Sequence, residues 1–192
     1  MRFNSEEIIS HPLLLVCYAM LLVLALSNGV RVQAQGSNTA PRVWEAPLSI
    51  PTYQLGPPNP YPALMDWQRR KWRPVYPYPF LDALSNNRTD KTWKAVYLEN
   101  EYLRVSVLPE LGGHIYQIFD KTTNRDVLYS NPVMKYAMVA LRGAWVSGGI
   151  EWNFPDGHTL TTVSPVDYAM RMEPDGSAAV AVGDDSKIHG GI

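Results

Sequence analysis

The amino-acid sequence predicts an antiparallel all-β fold, of sandwich or barrel type, for the chain beyond residue 90. Residues 93–98 (WKAVYL) and 102–108 (YLRVSVL) alternate apolar and polar side chains with the period of two that half-buried strands show. Residues 174–177 (PDGS) indicate a hairpin, because Asp-Gly readily adopts the backbone conformation of a tight turn. Long stretches of helical periodicity are lacking, so an antiparallel β-sandwich is the predicted fold class.

The other predicted strands follow in chain order from the same alternation, at residues 114–119, 126–129, 135–141, 167–172 and 178–182. Residues 120–124 (DKTTN) predict the turn between two of them, since Asp and Asn side chains hydrogen-bond their own backbone. The two glycines in residues 108–114 (LPELGGH) predict a tight turn that ends at His114. The sequence stops at residue 192 in a glycine-rich loop, and we therefore expect the β domain to be incomplete.

Residues 35–90 form a segment rich in proline and aromatic residues. Ten of the sixteen prolines lie between residues 41 and 79, together with three tryptophans and four tyrosines. Proline fixes φ and lacks a backbone donor, which argues against a central strand or a long helix. We expect an extended strap that buries its rings on the surface of the β domain, which takes up residues 91–192.

Residues 1–34 are predicted to be a signal peptide. Residues 13–26 are an apolar run of the length typical of a signal sequence, and residues 32–34 (VQA) predict cleavage after Ala34. The predicted location is therefore secreted, periplasmic or cell-envelope. Glu6 and Glu7 outnumber Arg2 ahead of the apolar run, which leaves an uncleaved N-terminal anchor as the alternative.

The formal net charge of −1 argues against nucleic acid as a partner, because phosphate contacts need clustered basic residues. The one basic run, residues 69–71 with Arg73, is interpreted as a solvated surface patch. His114, His158 and His189 lack the spacing of a metal motif, and the glycine-rich turn lacks the residues of a phosphate-binding loop. We predict no metal site and no cofactor.

The candidate site lies between residues 142 and 158, where carboxylate, imidazole, amide and indole groups are interspersed with glycines. A sugar presents apolar C–H faces and a rim of hydroxyls, so its site needs aromatic platforms and convergent polar groups. The predicted carbohydrate-binding residues are Arg142, Trp145, Glu151, Trp152, Asn153 and His158. If residues 150–154 are extended, Glu151 and Asn153 share one face and Trp152 and Phe154 the other. The alternative is that both tryptophans belong to the core.

Five stretches of this region carry a resemblance to a known family: residues 97–129 (YLENEYLRVSVLPELGGHIYQIFDKTTNRDVLY), 131–133 (NPV), 141–145 (LRGAW), 148–158 (GGIEWNFPDGH) and 164–168 (SPVDY). Over residues 60–192 the series resembles a bacterial family known as domain of unknown function 5107. The resemblance implies a galactose-mutarotase-like β-supersandwich fold. It also implies a secreted or envelope protein, with tetratricopeptide repeats as a partner region later in the full-length chain.

Three functions are compatible with this resemblance. The leading hypothesis is a carbohydrate-recognising domain. The second is a sugar-active enzyme, because epimerases of the superfamily use a glutamate base and a histidine acid. Glu151 and His158 are the catalytic candidates, His114 is a weaker one, and the usual glutamate is expected beyond this fragment. The third is a non-catalytic envelope scaffold, favoured if Trp145 and Trp152 are buried and no cleft exists.

Overall fold

The computed structural model describes residues 40–61, 75–154, 157–188 and 190–191. The predicted signal peptide, its cleavage point after Ala34 and the basic run at residues 69–73 lie outside the described residues. Among the described residues, none forms a helix with the length and apolar character needed to cross a membrane.

The described residues form an all-β, antiparallel structure, which confirms the predicted fold class. One five-stranded sheet follows the order of the chain: β1 (Arg42–Leu55), β2 (Leu84–Glu99), β3 (Leu103–Leu108), β4 (His114–Asp120) and β5 (Arg125–Asp126). Three two-stranded pairs follow: β6 (Ala137–Ala140) with β7 (Gly143–Trp145), β8 (Asp167–Met172) with β9 (Ala178–Gly183), and β10 (Asp185–Ser186) with β11 (Gly190–Gly191). A short 3-10 turn, Pro109–Leu111, leads from β3 to the two glycines before β4.

Strand β1 differs from the surface strap that the proline content predicts. It is extended, as expected, but it pairs with β2 along nearly its whole length and forms one edge of the sheet. Pro47 and Pro51 are accommodated because β1 has a ladder neighbour on one side only. The N–H of Tyr53, two residues after Pro51, donates outward to the Met134 carbonyl at 2.8 Å. Pro47 and Pro51 share this orientation, so their backbone nitrogens also face away from β2. The hydrogen that proline lacks is therefore not needed for pairing with β2.

The sheet is covered on both faces. Cross-strand pairing of Leu48 with Trp93 places both on one face, where the Trp93 indole is 1% exposed and donates to the Thr52 hydroxyl at 3.1 Å. The core cluster on this face contains Ile50, Trp93, Ala95, Leu108, Leu111, Met134 and Val146. Hairpin β8–β9 contacts β1 and β2 on the other face, where the Tyr168 hydroxyl donates to Glu45 at 2.7 Å. The resulting layered arrangement is the predicted sandwich.

A loop before the candidate site is held against the start of β4. The amide groups of Ile115 and Ile150 donate to each other's carbonyls at 3.0 and 2.9 Å. The buried His114 ring bonds through Nε2 to the Gly148 carbonyl at 3.0 Å. Between them Gly149 adopts a φ of +64° with its backbone against the Ile115 carbonyl oxygen, so a Cβ at this position would collide with that oxygen. These contacts fix where residues 151–154 begin.

We predict that Gly149→Ala lowers the free energy of unfolding by about 3 kcal/mol or more, because it combines a left-handed backbone with a backbone clash. Gly176→Ala is the matched control, since Gly176 also has a positive φ, at +85°, but open space around its Cβ position. It should cost only about 1–2 kcal/mol. Chemical denaturation measures both values, and equal losses would contradict the close packing at Gly149.

Burial of the His114 ring lowers its pKa below the ordinary value of 6.5, and this effect outweighs the Gly148 hydrogen bond and the attraction of Glu151. The unfolded chain therefore takes up a proton at a higher pH than the folded protein does. We expect the free energy of unfolding to fall as the pH decreases below about 6.5, by at most ~1.4 kcal/mol per pH unit from this group.

The measurement is the difference in unfolding free energy between pH 7 and pH 5, for the wild type and His114→Gln. Glutamine retains an N–H donor for the Gly148 carbonyl but does not titrate in this range. The pH dependence should be shallower in the variant. An unchanged slope would mean that the histidine charges as readily in the folded protein as in the unfolded chain.

Candidate functional site

Residues 151–154 send alternate side chains to opposite sides of the backbone, as the sequence predicts. Glu151 and Asn153 both bond to His158. Trp152 and Phe154 instead line a cleft together with residues of β9. The strand on which the prediction of this alternation depends does not form: residues 151–154 lie outside any ladder and directly follow the isolated Ile115–Ile150 bridge. Four neighbouring residues therefore contribute to two different surfaces.

The Glu151 carboxylate is the centre of the polar surface. One oxygen, Oε2, accepts from the Trp145 indole N–H at 2.7 Å and from the Thr162 hydroxyl at 2.9 Å. The other oxygen, Oε1, contacts Nδ1 of His158. The Glu151 side chain is only 13% exposed, so these three donors replace much of the water that an ionised carboxylate would otherwise bind.

His158 is held in one orientation by contacts to both its backbone and its ring. Its φ of +53° is unusual for a residue other than glycine, and its N–H donates to the Asn153 side-chain oxygen at 2.6 Å. The Trp145 ring meets the imidazole edge-on, with centroids 5.8 Å apart and planes at 73°. Nδ1 faces the Glu151 carboxylate, and Nε2 is directed away from this contact. The imidazole remains 36% exposed.

Trp152 lies on the other side of the segment. Its indole N–H donates to the Gly113 carbonyl at 2.9 Å, and 42% of the residue is exposed. It lines a cleft of about 350 Å³ whose other walls include Phe154, Val166, Val180 and Val182. From the sequence, a scaffold module is favoured if the tryptophans are buried and no cleft exists. Trp152 instead is exposed and lies beside a cleft.

Trp145, Glu151, Asn153, His158 and Thr162 form what we call the Glu151 cluster. The structure places Arg142 apart from it. The side chain is buried, and it donates to the Pro79 carbonyl at 3.0 Å, to the Leu160 carbonyl at 2.8 Å and to the Ser164 hydroxyl at 2.8 Å. Burial lowers its pKa, with partial compensation from Tyr78 and Asp184. Its contacts therefore join three segments of the domain, and a ligand would have to displace them to reach the guanidinium.

The predicted site residues thus divide into groups. Trp145, Glu151, Asn153 and His158 come together, whereas Trp152 and Arg142 lie elsewhere, and His114 is buried under the loop at Gly148. Thr162 is a further member that the sequence analysis does not identify. A lone threonine eleven residues from Glu151 carries no motif, so only the folded chain reveals it. Within the described residues, no group of three histidine, cysteine or acidic side chains is arranged to hold a metal ion.

A solved structure supports this architecture. The described fold is similar, with a TM-score of 0.69 and 29% sequence identity, to the crystal structure of a TPR-domain-containing protein from Parabacteroides distasonis. The match covers 80% of this chain and 26% of that chain, so this chain spans about a quarter of the length of its structural relative.

A family comparison covers most of the β domain. The model of one family, described as a domain of unknown function, matches residues 70–190. This span includes strands β2 to β9, the loop against β4 and every residue of the Glu151 cluster. The chain therefore belongs to the DUF5107 family.

Proposed function

We propose that this chain is an exported carbohydrate-recognising domain of galactose-mutarotase-like fold, with its sugar bound at the cluster of Trp145, Glu151, Asn153 and His158. The main support for the proposal is the Glu151 carboxylate, which bonds to the Trp145 indole and to the His158 imidazole. The imidazole remains 36% exposed. Sugar hydroxyls are both donors and acceptors, so they are recognised by fixed polar atoms beside an aromatic ring.

Two polar groups of the cluster are available to such a ligand. Nε2 of His158 and the side-chain nitrogen of Asn153 have no hydrogen-bond partner among the described residues, whereas their other polar atoms are used within the cluster. A ligand can therefore bond to them without breaking the contacts that fix the side chains. Rigid polar groups lose little conformational freedom on binding, which favours affinity.

Arg142 and Trp152 are outside the centre of this proposal. The donors of Arg142 are used by the protein itself, and the indole N–H of Trp152 is bonded to Gly113 on the opposite side of the segment. We therefore assign polar contacts with the sugar to His158 and Asn153, which Glu151 and Trp145 hold in place.

Export and repeat architecture are further parts of the proposal. The apolar run at residues 13–26 followed by a cleavage sequence supports export to a compartment where glycans are found. The structural relative is a TPR-domain-containing protein, which supports tetratricopeptide repeats as the partner region of this β domain.

We expect Glu151→Gln to weaken sugar binding at least about tenfold relative to the wild type, or ~1.4 kcal/mol. One of the two polar atoms of an amide is a donor, so the new side chain either loses one of the three contacts or forces the His158 imidazole into the other tautomer, which moves its proton to Nε2. A glycan array identifies a ligand with the wild type, and calorimetry then compares the variants.

Glu173→Gln is the matched control for this change. It makes the same substitution near the β8–β9 turn, where the Glu173 carboxylate pairs with Arg171 at 3.6 Å. Its affinity should equal that of the wild type. Absence of any glycan ligand for the wild type, or equal affinity of Glu151→Gln, would refute sugar recognition at this cluster.

A second candidate function, a sugar-active enzyme, is favoured by the Glu151–His158 contact. A carboxylate that orients an imidazole through Nδ1 leaves Nε2 directed elsewhere, which is the arrangement used in general acid–base catalysis. The left-handed backbone of His158 is also the kind of local strain that concentrates at functional sites.

If the domain is an enzyme, His158→Gln should reduce turnover by about 10²–10⁴-fold, the usual contribution of a general acid or base. Polarimetry of anomerically pure sugars detects epimerase activity, and chromogenic aryl glycosides detect hydrolysis. Binding without turnover in the wild type, or turnover unchanged in the variant, would leave recognition as the function.

A further inference from the structure

The cleft on the Trp152 side of the segment has a chemistry different from that of the Glu151 cluster. Its volume of about 350 Å³ is in the range of small-molecule sites. Two aromatic residues and three valines line it, and Asp184 is among its polar lining residues. The aromatic residues are well exposed, at 42% for Trp152 and 68% for Phe154, so a ligand in the cleft would remove apolar surface from water.

The walls of this cleft are anchored by the fold. The Trp152 indole is tied by its N–H to the Gly113 carbonyl at 2.9 Å, so the ring is held beside the turn that precedes β4. Val180 and Val182 belong to β9, which pairs with β8 over the full length of both strands. A ligand therefore meets preformed walls and does not have to order them.

Asp184 is an acidic residue without a bonded cationic partner among the described residues. The residue is half-buried, immediately after β9, and its side chain has neither an ion pair nor a hydrogen bond among the described residues. The Arg142 guanidinium lies close enough to Asp184 to interact with it electrostatically. The donors of Arg142, however, go to Pro79, Leu160 and Ser164.

We propose that this cleft is a second binding site, separate from the sugar cluster, for a small organic ammonium with an apolar body. The body would lie against Trp152, Phe154 and the valines, and the ammonium would pair with Asp184. A cation beside aromatic faces gains from the negative charge of the rings, and more so where water is partly excluded. A carboxylate next to apolar walls gains from a cationic partner for the same reason.

A sugar fits this cleft poorly. The hydroxyl of Thr159, which also lines it, already donates to the Phe154 carbonyl at 3.0 Å. The remaining surface is mainly aliphatic or aromatic and would leave several sugar hydroxyls unpaired, which is costly on burial. An apolar body with one charged donor satisfies the same surface without that cost.

The test uses 2-phenylethylamine, which is protonated at pH 7, and its neutral analogue 2-phenylethanol, each titrated into the wild-type chain and followed by NMR shifts of the tryptophan indole protons. The amine should bind at least about tenfold more tightly than the alcohol. In Asp184→Asn this preference should disappear, while the alcohol binds as before. Asp185→Asn is the matched control, because it removes the neighbouring exposed carboxylate and should keep the preference.

Trp152→Ala should weaken both probes, whereas binding of a glycan ligand at the Glu151 cluster should survive Asp184→Asn. Failure of this site is thereby distinguished from failure of sugar recognition. Equal affinities for amine and alcohol in the wild type, absence of shifts with either probe, or an amine preference that survives Asp184→Asn would overturn the proposal.

Discussion

The packing of residues 148–150 against the start of β4 is the constraint on which the candidate site depends. Gly149 lies so close to the Ile115 carbonyl that no side chain fits between them, and the reciprocal bonds of Ile115 and Ile150 fix the direction of the chain at that point. Directly after this bridge, Glu151 and Asn153 bond to His158, whereas Trp152 and Phe154 line the cleft. The side chains of Glu151 and Trp152 thus reach opposite sides of the segment.

The Glu151 carboxylate then organises one of the two surfaces. Its three donors come from β7, from the turn at residue 158 and from Thr162, so the carboxylate ties together the successive segments of residues 145–162. Such a cluster is specific because each member satisfies another, and a missing member leaves a poorly solvated charge or donor behind. Arg142 plays a comparable linking role, since its buried guanidinium donates to Pro79, Leu160 and Ser164.

The two sides of the segment of residues 151–154 differ in the contacts that they offer to a ligand. The polar side has fixed hydrogen-bonding atoms and a half-exposed imidazole, which suit a ligand with many hydroxyl groups. The other side has apolar walls and Asp184, whose side chain has no ion pair or hydrogen bond among the described residues, and this combination suits a compact cation with an apolar body. One short stretch of alternating polar and aromatic residues is enough to create both, because the backbone itself separates them.

Much of this architecture follows from the sequence. Most strands beyond residue 90 and the turn at residues 174–177 are predictable, because side-chain alternation and turn chemistry are local properties. The strand predicted at residues 126–129 is limited to Arg125–Asp126, and the short strands β7, β10 and β11 lack the alternation that would predict them. The pairing of β1 is not predictable from its composition, since prolines argue against a strand and only an edge position tolerates them.

Tertiary structure alone decided the membership of the site. Arg142 and Glu151 look equivalent in the sequence, as polar residues among glycines and tryptophans, yet one is buried against carbonyls and the other gathers a cluster around itself. Thr162 and Asp184 carry no motif and become relevant only because folding brings Thr162 to Glu151 and Asp184 to the cleft beside Trp152. Sequence by itself determined the β-strand pattern and the region of the site, because these depend on local periodicity, whereas the contacts within the site depend on long-range packing.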